Sequence, residues 1–319
     1  MKEGSTAIDR PGRRIAKQGN TMTKSRLAVQ AAMVALMAVA PAWAQEVPNF
    51  NADKIATDPA LAAKLPEQIA KAGVLVIGSD TAYAPWEYIS EKDGQTAEGI
   101  DVDIAEAMAK TLGLKLDFRT AAFDGILPAL GAKYDLGISA FSISNERLKA
   151  VNFVSYSQTG ALWAVKAGNP KTFKPDELCG RNVAIQSGSF FQRLLQEENQ
   201  ACLSAGKPEI EMIPFATQAE ALTRVAADGA DATVSGSATI GYAAKQSNGR
   251  LQTMRPTGKL GGFGLNGIAI AKKDTRLTEL VAEVTNKLIA GGVYKEIYGM
   301  WGIDDSNIPV AEINPKVKD

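Results

Sequence analysis

Hydrophobic and polar positions along this chain follow one design twice. Residues 74–77 form a short β-branched run that predicts a strand. In 103–112, Ile104, Met108 and Leu112 recur every fourth position, which puts them on one face of a helix. A strand follows at 114–118 behind Gly113, then a short helix at 124–130, a strand at 135–139 and a helix starting at 145–150. Parallel strands need a crossover, so this β-α-β-α-β order predicts a largely parallel sheet covered by helices. The pattern then restarts. Strands at 183–186, 210–214 and 231–235 alternate with helices at 190–198 and 219–227, and a second α/β lobe follows. A glycine-rich stretch at 258–267, a strand at 268–271 and helices at 277–289 and 293–300 complete the chain. Segments 158–166 and 260–267 read as two linkers between the lobes, which frees the C-terminal part to return to the first lobe. No repeat of short fixed period occurs.

The N-terminus breaks this pattern. From Met22 the chain runs through Lys24 and Arg26 into an apolar run from Leu27 to Ala40 and then Ala42-Trp43-Ala44. A charged start, a short apolar core and a small-x-small site make a secretory signal at 22–44. A membrane anchor would need about 20 apolar residues, more than this run supplies. Residues 1–21 read as an extension from an early start codon, and the mature chain would begin at Gln45. Residues 45–72 form an N-terminal segment with a helical turn near 60–66 and no assigned function.

Export changes the meaning of the composition. The whole chain balances 35 basic and 35 acidic side chains; the first 44 residues hold seven and two of these, leaving 28 against 33, or −5. A mildly acidic surface without a basic cluster argues against nucleic acid or anionic membrane as a partner. No cysteine precedes Cys179, so none near the cleavage site can carry a lipid. A soluble, secreted, periplasmic protein, not inserted in the membrane, is the expectation. In an oxidising compartment the pair Cys179 and Cys202, 23 residues apart, reads as a disulfide rather than as reactive thiols. The chain has no histidine, which removes Ser-His-Asp and Cys-His nucleophiles and histidine-ligated metals. No cofactor or metal signal replaces them. Asp101/Asp103 and Asp304/Asp305 read as solvated or capping groups rather than a calcium cage.

Four motifs stand in order along the first lobe: residues 77–86 (IGSDTAYAPW), 99–109 (GIDVDIAEAMA), 123–130 (FDGILPAL) and 142–147 (SISNER). With Tyr134-Asp135 between the last two, this arrangement resembles the bacterial extracellular solute-binding proteins, family 3, of polar amino-acid ABC transporters, over about residues 73–302. The resemblance implies an α/β, two-lobe periplasmic-binding-protein fold (type II), each lobe a mostly parallel sheet flanked by helices, joined by a two-strand hinge. Lobe 1 would comprise residues 73–162 and 264–305, lobe 2 residues 163–263, and 306–319 a C-terminal tail. It further implies a monomer that captures a polar amino acid or related small carboxylate by hinge closure and delivers it to ABC permease subunits.

Residue chemistry fits that role. Arg147 is the candidate for the ligand carboxylate, because a guanidinium presents a fork of donors that matches it bidentately. Tyr83 and Phe123 occupy the positions that, by the resemblance, sandwich the ligand body, with cation-π attraction available to a cationic guest. Trp86 fits core packing as well as a cleft wall. Ser139, Ala140, Phe141 and Ser142 end a strand at the carboxyl edge of the sheet, where ligands collect in open α/β folds. In the second lobe Gly188, Ser189 and Phe190 match a loop that closes on the carboxylate. The family aspartate for an α-ammonium falls here on Gly236. Either Asp80, Glu87 or Asp124 substitutes, or the ligand is not an ordinary α-amino acid; Asp80 and Asp124 also suit a turn and a helix cap. Two other functions use the same fold: an exported dehydratase-like enzyme, resembling cyclohexadienyl dehydratase and needing a positioned acid or base, and a protein presenting ligand to a sensor.

Overall fold

The computed structural model describes residues 48, 50–262 and 264–317. The extension at 1–21, the signal segment at 22–44 and Gln45 lie outside the described residues. Among the described residues thirteen strands run β1 (Val74–Ser79), β2 (Ala82–Tyr83), β3 (Glu87–Ile89), β4 (Ala97–Glu98), β5 (Lys115–Thr120), β6 (Leu136–Gly137), β7 (Val151–Thr159), β8 (Ala161–Lys166), β9 (Asn182–Gln186), β10 (Glu211–Phe215), β11 (Ala232–Gly236), β12 (Leu251–Met254) and β13 (Gly264–Ala271). They form two five-stranded sheets, ordered β5-β1-β6-β13-β7 and β10-β9-β11-β8-β12, and a small ribbon β2-β3-β4.

Each large sheet is half parallel and half antiparallel. β5, β1 and β6 run parallel, as do β10, β9 and β11, which are the crossover units the periodicity predicts. The remaining pairings are antiparallel and involve the strands that change lobe: β13 with β6 and β7, β8 with β11 and β12. β7 lies in the first sheet and β8 in the second, with Gly160 alone between them. The return crossing ends in β13, which pairs with β7 from Gly264↔Thr159 to Ala271↔Val151 with one irregularity at Asn266/Gly267. Residues 158–166, read as a linker, are therefore mostly ladder.

The first sheet is covered by the helix Ile100–Leu112, in which eleven of thirteen residues are buried. It has no solvent stripe because Thr275–Ala290, Val293–Met300 and the N-terminal helices pack around it. Trp86 is 1% exposed and meets Tyr156 and Tyr298 edge-on at 6.3 and 6.4 Å, so it belongs to the core and not to the cleft wall. Gly99 starts the helix at φ 132°, with Trp86 O only 2.3 Å from where a Cβ would stand. Only glycine tolerates both demands, and the close approach lets the Asp101 N–H donate to Trp86 O at 2.8 Å. It thereby sets Asp101 beside Glu87 on the neighbouring strand.

In the second lobe Cys179 and Cys202 are joined, Cα–Cα 5.6 Å, tying the chain ahead of β9 to the end of helix Phe190–Ser204. Thr217 and Glu220 form a reciprocal capping box on helix Gln218–Ala226. The helix Ser237–Gln246 and the strand β12 follow β11 without having been legible in the sequence pattern.

Candidate functional site

Three polar clusters meet where the lobes face each other. The first surrounds Arg147. Ser144 Oγ accepts the Arg147 backbone N–H at 3.2 Å, capping the helix Asn145–Ala150 and fixing where the side chain leaves it. The guanidinium donates to the carbonyl of Ser142 in its own lobe and to that of Gly188 in the opposite lobe, both at 2.9 Å. Phe123 and Phe141 stack on each other at 4.9 Å, and the guanidinium carbon lies 5.6 and 5.7 Å from their ring centroids. Two of a guanidinium's five N–H donors are thus committed to neutral acceptors, and three remain for a carboxylate. Burial pulls the Arg147 pKa down to about 10, with Glu146 opposing and Arg193 reinforcing that fall. Such a cation is stabilised by any anion that reaches it.

The second cluster centres on Asp80, which is 4% exposed. Gln186 Nε2, from the second lobe, donates to its carboxylate at 2.6 Å, and the Asp80 backbone N–H donates to Ser139 Oγ at 3.0 Å. Ser139 Oγ donates onward to Glu87 at 2.6 Å. Glu87 faces Asp101, a pair of carboxyls that can bond only when one carries a proton. Asp101 accepts from Tyr156 OH at 2.7 Å and from the Ala140 backbone N–H at 2.9 Å. Ala140 takes φ 43°, and this turn directs its N–H into the acid. Burial raises both carboxyl pKa values, Glu87 further because the Asp101 charge faces it. Burial also pushes Asp80 up to about 6, against the lowering effect of the Gln186 bond. Asp103 is raised to about 7 by burial while Trp301 Nε1 bonds it at 2.8 Å. Asp101 and Asp103 are therefore buried anchors rather than solvated groups; the exposed Asp304 and Asp305 do face solvent.

The third cluster joins Tyr83 to the end of β11. Tyr83 OH shares a 2.6 Å hydrogen bond with Ser235 Oγ and accepts the Gly236 N–H at 3.3 Å. A Cβ on Gly236 would lie 3.2 Å from that hydroxyl and 3.5 Å from Thr159 Oγ1. Gly188 sits at φ 71°, a Cβ there meeting the Cβ of Asp124 at 2.9 Å, so the loop and the first lobe touch backbone to side chain.

The sequence-derived residues separate accordingly. Arg147, Phe123, Phe141, Ser142 and Gly188 come together, as do Asp80 with Ser139, and Tyr83 with Gly236; Ala140 reaches the site through Asp101. Ser189 is used as the cap of helix Phe190–Ser204, its Oγ accepting the Gln192 N–H at 3.1 Å. Phe190 packs under Arg193 at 5.0 Å and lines a separate cavity of about 370 Å3 with Ser142, Gly160 and Leu194. Gln186 and Ser235 carry contacts between the lobes that sequence reasoning missed. A glutamine at a strand end announces nothing until closure brings a carboxylate to it.

None of the described helices is long and apolar enough to cross a membrane. The chain matches the model for bacterial extracellular solute-binding proteins, family 3, over residues 75–304. It is 29% identical over 274 residues to the arginine-binding protein ArgT of Corynebacterium glutamicum, covering 85% of this chain and 86% of that one. An ancestral arginine-binding protein bound to arginine superimposes with TM-score 0.63 at 30% identity, covering 72% of this chain and 98% of its own. An ancestral amino acid-binding protein, a precursor of cyclohexadienyl dehydratase, does so with TM-score 0.62 at 30% identity, over 74% and 98%. That last neighbour is itself a binding protein, so the dehydratase alternative gains nothing from it. The two-lobe fold, the four ordered motifs and these likenesses agree: the chain belongs to the bacterial extracellular solute-binding proteins, family 3, and is a binding protein rather than an enzyme.

Proposed function

We propose that this protein is the exported, periplasmic binding component of an ABC importer for an amino acid or closely related small carboxylate, which it holds between its lobes and hands to permease subunits. The two jaws are residues 73–162 with 264–305, and residues 163–263. The observation that carries the reading is Arg147, a half-buried guanidinium beside two aromatic rings with only neutral carbonyls as hydrogen-bond acceptors and donors to spare. A ligand carboxylate replaces neutral acceptors with a charged one, roughly doubling the strength of each bond it forms. Phe123, backed by the buried Phe141, supplies the apolar wall, Asp80 receives a ligand cation, and Tyr83, Ser139 and the Gly188 loop close around the body. The relatives named for arginine binding support a ligand that carries both charges. A monomer delivered by secretion, with its second lobe cross-linked by Cys179–Cys202, suits an oxidising compartment.

The test is a thermal-shift screen of ligand-free protein against amino acids, their decarboxylated amines and their deaminated acids, followed by calorimetry. At a hundredfold excess over Kd a ligand stabilises by about 2.7 kcal/mol, enough to shift the midpoint visibly. Carboxylates should stabilise and amines should not, and Arg147→Met should abolish the response without unfolding the protein. If amines without a carboxyl group stabilise equally well, the reading fails.

A further inference from the structure

Two buried carboxyls stand directly behind the stretch 139–142. Glu87 and Asp101 are fully buried, and the side chains that bond them, Ser139 and Tyr156, are buried too. Adjacent residues hold the two acids together: Ser139 Oγ donates to Glu87 Oε1 at 2.6 Å, and the next backbone N–H, of Ala140, donates to Asp101 Oδ2 at 2.9 Å. Asp101 Oδ1 accepts Tyr156 OH at 2.7 Å. Hydrogen-bond accounting then singles out one atom. Both oxygens of Asp101 and one of Glu87 receive a donor, while Glu87 Oε2 is buried and receives none. A buried oxygen left in that state is costly. A proton on it removes the deficit, because a protonated carboxyl is a donor and the Asp101 carboxylate beside it keeps lone pairs to accept. The ionisable groups around the pair are Asp80, Tyr83, Tyr156, Tyr294 and Tyr298, all acids or phenols, so two carboxylates here would repel without compensation.

Resting on the role proposed above for residues 139–142, we propose that Glu87 is a neutral carboxylic acid in the folded protein, donates its proton in a hydrogen bond to ionised Asp101, and forms with it a positioning pair that fixes the turn at Ala140. Ala140 stands at φ 43°, a left-handed conformation that an alanine keeps only when its surroundings impose it. The imposing bonds are those of the pair. Asp101 draws the Ala140 N–H inward, and Glu87 holds the hydroxyl of Ser139 one residue earlier. Ser139 in turn accepts the Asp80 N–H at 3.0 Å; on the other side of the turn Phe141 stacks on Phe123, and the Ser142 carbonyl accepts from the Arg147 guanidinium. One shared proton therefore sets the residues on both sides of the turn. Burial and the facing Asp101 charge both raise the Glu87 pKa, whereas the bonds from Glu87, Tyr156 and Ala140 oppose the rise at Asp101, which puts the proton on Glu87.

Infrared spectroscopy and amide hydrogen exchange on the ligand-free protein test the two halves. At about pH 7 the difference spectrum of wild type minus Glu87→Gln should hold the carbonyl band of a protonated carboxylic acid. A carboxylate band in its place shows Glu87 ionised and overturns the assignment. The glutamine keeps both bonds, its amide N–H donating to Asp101 and its carbonyl accepting from Ser139, so the Ala140 amide should exchange as in the wild type. Glu87→Leu removes both bonds, and that amide should exchange about tenfold faster. Unchanged exchange in Glu87→Leu, or faster exchange in Glu87→Gln than in the wild type, overturns the positioning role. Neither readout needs a ligand, so a failure of every carboxylate to bind would fall on the function proposed above and leave this pair standing.

Discussion

Asp80→Asn tests whether a charge is held at a cost in the closed cleft. Burial sets the Asp80 pKa at about 6 in the folded protein against the ordinary 3.8, a gap of about two units. At 1.36 kcal/mol per unit this amounts to about 3 kcal/mol. The sign follows from proton counting. Between the two values the folded state holds more protons than the unfolded one, so the protonated acid's stabilisation is complete below about 3.8 and is lost as pH rises through about 6. An asparagine cannot ionise, and its amide oxygen can still accept from Gln186. Urea unfolding of ligand-free wild type and variant at about pH 4 and about pH 7 measures the difference directly. Asp101 and Asp103 drift in the same direction in both proteins and cancel, while Glu87, whose pKa the Asp80 charge helps to raise, is raised less in the variant and adds to the difference. The wild type should lose about 2 kcal/mol more than the variant over that interval, less than the full difference because at about pH 4 the unfolded acid is already mostly ionised. Parallel pH profiles, or a variant less stable than wild type at about pH 7, would refute the reasoning.

Three further outcomes are expected. Gly188→Ala forces a side chain to φ 71° and against Asp124, so affinity for the ligand should fall by about 1 to 2 kcal/mol in calorimetry while the unfolding midpoint barely moves. Tyr83→Phe deletes the hydroxyl that bridges to Ser235 and Gly236, and X-ray scattering should show a larger radius of gyration without ligand, with affinity reduced by about 1 kcal/mol. Cys179→Ser opens a loop of 23 residues and should cost about 3 kcal/mol in urea without changing ligand affinity.

The alternating strands and helices were legible because each crossover segment pairs a short β-branched run with a helical stripe. The strands β7 and β8 were not. Seven of the nine residues of β7 are buried, Asn152, Ser155 and Ser157 among them, so the two-residue alternation that betrays a half-exposed strand is missing. In β8 the same absence made a buried ladder look like a tether. The acids of the first helical turn misled for a related reason. Asp101 and Asp103 have the sequence position of ordinary dipole-balancing residues, and only the packing of two further helices over that face turns them into interior groups. Arg147, Phe123 and Tyr83 could be picked out because cation and aromatic chemistry is rare enough to be informative within an ordered set of motifs. Gln186 and Ser235 act only across the closed interface, and local pattern carries no trace of that.

Contacts between the lobes give each charged group a neutral partner. Gly188 O takes one donor of Arg147, and Gln186 Nε2 takes one lone pair of Asp80. Both partners come from one short stretch of the second lobe, the end of β9 and the turn after it. The ligand's contribution is then the difference between charged and neutral partners, not the whole of each bond. That difference is largest where solvent is excluded, which is the condition of Asp80 and, less completely, of the half-buried Arg147. A solute with a charge at only one end can improve one stand-in; a solute with opposite charges at its two ends can improve both at once. Discrimination in this cleft therefore falls on whether a solute offers Arg147 and Asp80 better partners than Gly188 O and Gln186 Nε2.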